Sequence, residues 1–153
     1  MNPEIHYRTA VKEDLGTLIW LLSDDALGAT REHADAERMQ DYSAAFDAIS
    51  GDPNNQLVVA EREGTVIAVL QLTYIPNLTY TGSWRAQIEG VRVDRNERGR
   101  GVGRALVQHA IQLASERGCL IVQLTTDKRR PAALEFYREL GFEATHEGMK
   151  LWL

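Results

Sequence analysis

The 153 residues predict an α/β protein with a mixed sheet, in which an antiparallel meander leads into a parallel strand–helix–strand crossover. Three observations predict it. Ile88–Val93, followed by 94–104 with Gly99, Gly101 and Gly103, reads as a strand, a glycine-rich turn and the start of a helix. Two β-rich runs, Gln56–Glu61 and Thr65–Tyr74, flank a turn at 62–64 and make a hairpin. Leu120–Leu124 then follows the helix, so its strand should lie parallel to 88–93 through a right-handed crossover.

Taken in order, Glu4–Arg8 suits a short first strand, and Leu15, Leu18, Ile19 and Leu22 recur at helical spacing. Residues 23–31 are small or acidic and break that period. Met39, Tyr42, Phe46 and Ile49 restore it as a second helix, which Gly51–Asn55 ends in a turn. After the hairpin, 75–82 with Pro76, Asn77 and Gly82 returns the chain into the strand that ends at Val93. Val102, Leu106, Ala110 and Leu113 form the stripe of the next helix, with Gly118 as its stop. Pro131 suits the first position of a last helix, whose inward face is Ala133, Phe136, Tyr137 and Leu140 before Gly141. Phe142–His146 and Met149–Leu153 predict a final hairpin around Glu147–Gly148. The order is β-α-α-β-β-β-α-β-α-β-β.

Length predicts one domain over 1–153, and 44% hydrophobic with 25% charged residues is the composition of a folded globular chain. A net charge of -5 argues against general nucleic-acid binding. Cys119, the one cysteine, has no partner for an internal disulfide, and the Cys and His residues show no metal-ligand spacing. No run is apolar enough to span a bilayer and none resembles a leader, which predicts a cytoplasmic protein without membrane contact.

The glycine turn has the chemistry of a phosphate site. Gly99, Gly101 and Gly103 let successive N–H groups converge, and the following helix adds its N-terminal partial charge. Arg98, Arg100 and Arg104 surround it with guanidinium groups suited to paired phosphate oxygens. A P-loop would need Gly-Lys-Ser/Thr, whereas Arg104 and Ala105 follow Gly103; a dinucleotide fingerprint would need G-x-G-x-x-G. The pattern Arg98-x-x-Gly101-x-Gly103 resembles the acyl-CoA pyrophosphate loop of the GNAT superfamily of N-acyltransferases. The segment from Ala133 to Phe142 is similar to that family's A-x-x-F-Y-x-x-x-G-F, and the element order resembles the whole GNAT fold, with its splayed central parallel strands. One departure is Arg130, where the family often has asparagine.

The resemblance implies direct transfer of an acetyl group from acetyl-CoA, a cosubstrate, to the primary amine of a small molecule or peptide, without a metal. It implies cofactor contacts from Val91, Arg92, Val93, Arg98, Gly99, Arg100, Gly101, Val102, Gly103, Arg104, Arg130, Ala133 and Phe136, with Arg129 or Arg130 meeting a phosphate. The amine must lose a proton before attack, for which Glu89 or a water relay is the candidate base. Tyr137 is the candidate acid for the departing thiolate, and the Val91 N–H the candidate oxyanion donor. Gly90 suits a bulge beside the thioester. Homodimerisation is implied in the same way. Among acceptor candidates, Asp24, Asp25 and Glu32 are an acidic loop open to a cation or to water, and Tyr74, Tyr80 and Trp84 are an aromatic wall, a dimer contact or packing. His6, His33, His109 and His146 are dispersed, and Cys119 lacks a paired histidine for a nucleophile's role. A non-catalytic acyl-CoA sensor is the alternative reading.

Overall fold

The structure, a computed structural model, describes residues 4–32 and 35–153, so His33 lies outside the described residues. Its elements are β1 (His6–Thr9), α1 (Leu15–Ser23), α2 (Ala36–Gly51), β2 (Asn55–Arg62), β3 (Thr65–Pro76), a single turn α3 (Thr79–Gly82), β4 (Trp84–Val93), α4 (Val102–Glu116), β5 (Cys119–Leu124) and α5 (Pro131–Glu139). The five strands form one sheet in sequence order. β1 to β4 are antiparallel and β5 runs parallel to β4. Mixed sheet and crossover agree with the fold class that the sequence predicts.

Local chemistry accounts for the joints. Glu63 and Gly64 between β2 and β3 both have positive φ, 51° and 78°, as a two-residue hairpin turn matched to strand twist requires. The carboxylate of Asp35 accepts the Arg38 N–H at 3.0 Å and caps α2. Pro131 opens α5 where its missing N–H would have no helical partner.

Alternating residues of the strands fill two apolar layers. Val58, Leu70, Leu72 and Ile88 pack with Leu106, Val107 and Ala110 of α4, and Phe136 and Tyr137 of α5 join that layer. Val59 and Val69 turn to the other face, against Leu18 and Leu21 of α1 and Phe46 of α2. Leu106 is fully buried at the centre of the first layer. Leu106→Ala is expected to cost about 2–5 kcal/mol, read as a lower urea midpoint at unchanged slope.

Two features open the sheet beside α4. The β4–β5 ladder stops at Ile88 opposite Leu124, so Glu89–Val93 has no strand on that side. On the other side Val69 faces Arg92 and Gln71 faces Glu89, so Leu70 opposes two residues, Gly90 and Val91. This is the expected bulge, with Gly90 at φ 61°.

The final hairpin is not formed. Residues 142–153 carry no strand, because the chain passes the end of β5 instead of running along it. A Cβ built on Gly148 would lie 3.7 Å from Thr125 Cγ2, and Lys128 pairs with Glu147 at 3.3 Å. Alternation supplies the side-chain pattern of a strand, but its amides need a neighbour. Among the described residues no helix is long and apolar enough to cross a membrane.

Candidate active site

The glycine turn begins with an Asx arrangement in which the Asp94 carboxylate accepts the Asn96 N–H at 2.8 Å. Gly99 and Gly101 have φ of 75° and 80°, and their Cβ positions face open space. Ala105 donates to Gly101 O at 3.0 Å, while the described hydrogen bonds use none of the amides from Gly99 to Arg104. Six consecutive donors therefore stand at the N-terminus of a 15-residue helix, the arrangement that suits a pyrophosphate. Gly103 differs: a Cβ there would meet Val93 Cγ2 at 3.4 Å and Phe136 Cζ at 3.7 Å. Those are ordinary packing distances, and they place Gly103 where α4 meets β4 and α5.

The arginines of the turn are already engaged by the chain's own acceptors. Arg98 donates from Nε to Val93 O at 3.1 Å and from Nη2 to both the carbonyl and the carboxylate of Asp24, at 2.9 and 3.1 Å. Asp24 also pairs with Arg95. Arg104 meets Glu139 at 2.5 Å and Arg100 meets Glu97 at 3.8 Å, and both guanidinium groups are well exposed. The Arg104 pair is exposed and therefore weak, and Arg100 is only a distant second partner of Glu97, which Arg62 already holds. The Arg98 side chain instead moors the α1–α2 loop to the turn.

In the opening, Asp94 donates to Ile67 O at 2.8 Å, so strand alternation turns Arg92 toward β3 and the main-chain groups of Val91 and Val93 toward the open side. Their carbonyls are taken, Val93 O by Arg98 and Val91 O by Arg92 Nη1 at 2.9 Å. The N–H groups remain as donors to a peptide-like arm. Glu89 is exposed beside the bulge and, among the described residues, its carboxylate makes no hydrogen bond or ion pair. Gly90 lies under Leu22, whose Cδ2 would be 3.8 Å from an added Cβ.

Tyr137 comes from the other face of the sheet. Its ring meets Phe136 and Phe142 edge-on at 5.0 and 5.8 Å, and its hydroxyl has no hydrogen-bond partner among the described residues. Burial pushes its pKa above the ordinary phenol value, against the opposing pull of Arg92 and Arg130. The hydroxyl thus keeps its proton at neutral pH. Ala133 lies one turn before it on α5, its N–H on Arg130 O at 3.1 Å.

Asp25 ties the two flanks together. Its carboxylate accepts Arg130 Nη2 at 2.9 and 2.8 Å, and the Gly28 N–H at 2.5 Å, while Arg92 Nε stands 3.3 Å away. That last approach lacks hydrogen-bond geometry, so the buried Arg92 Nε is unsatisfied. Burial alone would raise the Asp25 pKa, but the Gly28 amide, Arg92 and Arg130 together hold it below the usual carboxylate value. Burial lowers that of Arg92, opposed by Asp25. Sequence reasoning left Asp24, Asp25 and Glu32 open to a cation or to water. The cations are the chain's own, and Glu32 accepts from the Tyr42 hydroxyl at 2.6 Å.

Other candidates lie elsewhere. Tyr74 and Trp84 sit under Arg117, at 4.9 and 5.9 Å from the guanidinium, and Trp84 pairs with Cys119 at the end of the ladder away from the opening. Tyr80 is exposed, so the three form no wall. Burial raises the pKa of the Cys119 thiol, which disfavours a thiolate. His109 stacks on Tyr7 at 4.4 Å, and His6 and His146 are exposed. Lys128 and Arg129 are exposed and paired with Glu147 and Asp127. Among the described residues no cluster of His, Cys, Asp or Glu is placed to hold a metal.

A model of the acetyltransferase (GNAT) family matches residues 16–142. A solved structure from Bacillus halodurans C-125, described as a transcriptional regulator, is 47% identical with a TM-score of 0.94, over 98% of this chain and 100% of that one. A protein of Methanocaldococcus jannaschii named as an uncharacterized N-acetyltransferase is 46% identical over 44% of this chain and 30% of its own length. Glucosamine 6-phosphate N-acetyltransferase of Trypanosoma brucei brucei is 33% identical over 58% of each. The chain thus spans less than two thirds of the length of these two relatives.

Proposed function

Because the chain belongs to the GNAT acetyltransferase family, we propose that it moves an acetyl group from acetyl-CoA to a primary amine of a small molecule or peptide, by direct transfer. The observation that carries this reading is the row of unused amides from Gly99 to Arg104 at the head of α4, continuous with the free N–H groups of Val91 and Val93. Together they offer donors to a pyrophosphate and to a peptide-like pantetheine arm. Val102 begins the helix, and Arg100 and Arg104 supply exchangeable charge. Ala133 and Phe136 line the α5 flank, and Arg92 and Arg130, held by Asp25, stand at the mouth of the opening.

The chemistry then divides between the two faces of the sheet. Glu89, directly or through a water, takes the proton of the ammonium on the α1–α2 side. The nitrogen attacks the thioester carbon, whose oxygen gathers charge against the Val91 N–H. The C–S bond breaks, Tyr137 gives its proton to the sulfur, and the second proton that the nitrogen loses as it becomes an amide returns the phenolate to phenol. The protein works as a cytoplasmic homodimer in this reading.

The test is thiol release from acetyl-CoA across a panel of amines and lysine peptides, with calorimetric cofactor binding on the same preparation. Turnover with any acceptor supports the enzyme; absence of acetyl-CoA binding overturns the reading. The description of the Bacillus halodurans relative favours a second reading, an acyl-CoA-binding regulatory module, which would bind the cofactor tightly and turn over no acceptor. Glu89→Gln separates the base roles. With the carboxylate gone the enzyme depends on amine already deprotonated, so the rate should fall at pH 7 and recover as pH rises toward the amine pKa near ~10.4. A profile identical to the parent assigns the duty elsewhere.

A further inference from the structure

The bulge in β4 sets two charged side chains on one face. Glu89 and Arg92 are three positions apart, a spacing that points side chains to opposite faces of an ordinary strand. The extra residue at Gly90–Val91 brings them back together, for Glu89 lies opposite Gln71 and Arg92 opposite Val69. Val69 packs against α1 and α2, so both stand on that side of the sheet, while Val91 and Val93 pack with α4 on the other. Their partners are two residues apart on β3, which sets Glu89 and Arg92 about 7 Å apart along the sheet.

Arg92 is short of acceptors. Its side chain is 12% exposed, and its one hydrogen bond among the described residues runs from Nη1 to Val91 O at 2.9 Å. Nε is buried and unsatisfied. Arg130 converges on the same carboxylate and uses only Nη2 to reach it. Asp25 is therefore one anion between two guanidinium groups, and it also takes the Gly28 amide. Arg31 and Glu32 on the adjoining loop act on Arg92 in opposite senses, so they do not restore the balance. One positive charge is left over. The charges of Arg92 and Arg130 also reach Tyr137, which puts the excess beside the proposed acid. A guanidinium withdrawn from water without full pairing is costly, and a ligand anion would complete it.

We propose that the acceptor is an amine whose own molecule carries a carboxylate or a phosphate, held by Arg92 and Arg130 while its nitrogen faces Glu89. Guanidinium is the side chain matched to the paired oxygens of either group. Among the described residues Arg92 and Arg130 both keep donors that make no hydrogen bond. The separation of about 7 Å suits a small molecule whose amine and anion are a few bonds apart. On this assignment, which rests on the acetyl-transfer reading, the Arg92 guanidinium serves the acceptor and not the coenzyme.

Matched pairs of amines test it at constant ionic strength: α-amino acids against their amides, and phosphoethanolamine against ethanolamine. With acetyl-CoA saturating, the charged member of one pair should have a kcat/KM about tenfold or more above its partner, the effect of one charge-assisted hydrogen bond. Which pair shows the preference names the anion. Arg92→Gln should collapse that ratio toward one through KM, Arg92→Lys should restore part of it, and neither should weaken acetyl-CoA binding in calorimetry. Asp25 keeps Arg130 and the Gly28 amide in both variants, and a cooperative melting transition checks that the fold survives. A second readout needs neither turnover nor coenzyme. In a 15N correlation spectrum the Arg92 Nε–H line, assigned by its loss in Arg92→Lys, should move saturably with glycine or phosphoethanolamine and stay in place with glycinamide and ethanolamine. That shift without turnover of any amine would remove the transfer reading and uphold the anion site. Equal kcat/KM within both pairs, a line that no anion moves, or acetyl-CoA binding weakened as much as the acceptor's would each overturn the proposal.

Discussion

Tyr137→Phe is expected to lower kcat by about 10²-fold or more while the acetyl-CoA dissociation constant stays where it was. The ring contacts to Phe136 and Phe142 survive the change, and the lost hydroxyl has no partner among the described residues to leave stranded. Stability should therefore hold, and the loss is chemical. An acyl donor whose thiol is more acidic leaves without a proton, so the deficit should shrink with such a donor if Tyr137 is the acid. A deficit equal for all donors would make the hydroxyl a positioning group. Burial sets the pH signature. With the phenol raised above its ordinary value, the acid stays protonated through the neutral range, and activity that depends on it declines only at a pH above that at which an ordinary phenol ionises.

Gly101→Val should raise the acetyl-CoA dissociation constant tenfold or more. Gly101 holds the left-handed conformation immediately before α4, where a side chain costs about 1–2 kcal/mol. Relief of that strain would turn the amides of the first helical turn away from a common point, and each 1.4 kcal/mol of lost binding is about tenfold. The control lies at the other end of the helix. Gly118 has φ of 82° and equally open surroundings, so Gly118→Val carries similar strain far from the proposed phosphate site. Both variants should melt at lower temperature, and only Gly101→Val should weaken cofactor binding in calorimetry. Equal dissociation constants in the two would remove the pyrophosphate from the turn.

Short-range features of this fold were readable in the sequence because their causes are local. The hairpin turn at 63–64, the crossover from β4 to β5, the helix start at Pro131 and the bulge at Gly90 each rest on a few adjacent residues with a restricted backbone. Gly103 was read with Gly99 and Gly101 as room for a ligand; a Cβ there would sit in ordinary contact with Val93 and with Phe136, 33 positions later, a neighbour that no local pattern announces. The engagement of Asp24 and Asp25 was not readable. Their partners Arg98 and Arg130 lie 74 and 105 positions away, and no local pattern distinguishes a carboxylate awaiting a ligand from one already paired. The segment 142–153 shows the reverse failure. Its alternation is that of a strand, yet a ladder depends on an opposing backbone that alternation does not specify.

The two aspartates also bear on the order in which the chain can mature. Because Asp24 closes on Arg98 and Asp25 on Arg130, the loop after α1 gains the first contact once the glycine turn has been made and the second only when the residue before α5 has emerged. Pairings of such separation are entropically late events. During translation the antiparallel meander can condense on its own, while the loop after α1 waits for the last helix to emerge, so the proposed catalytic opening should be the last part of the molecule to acquire its native shape.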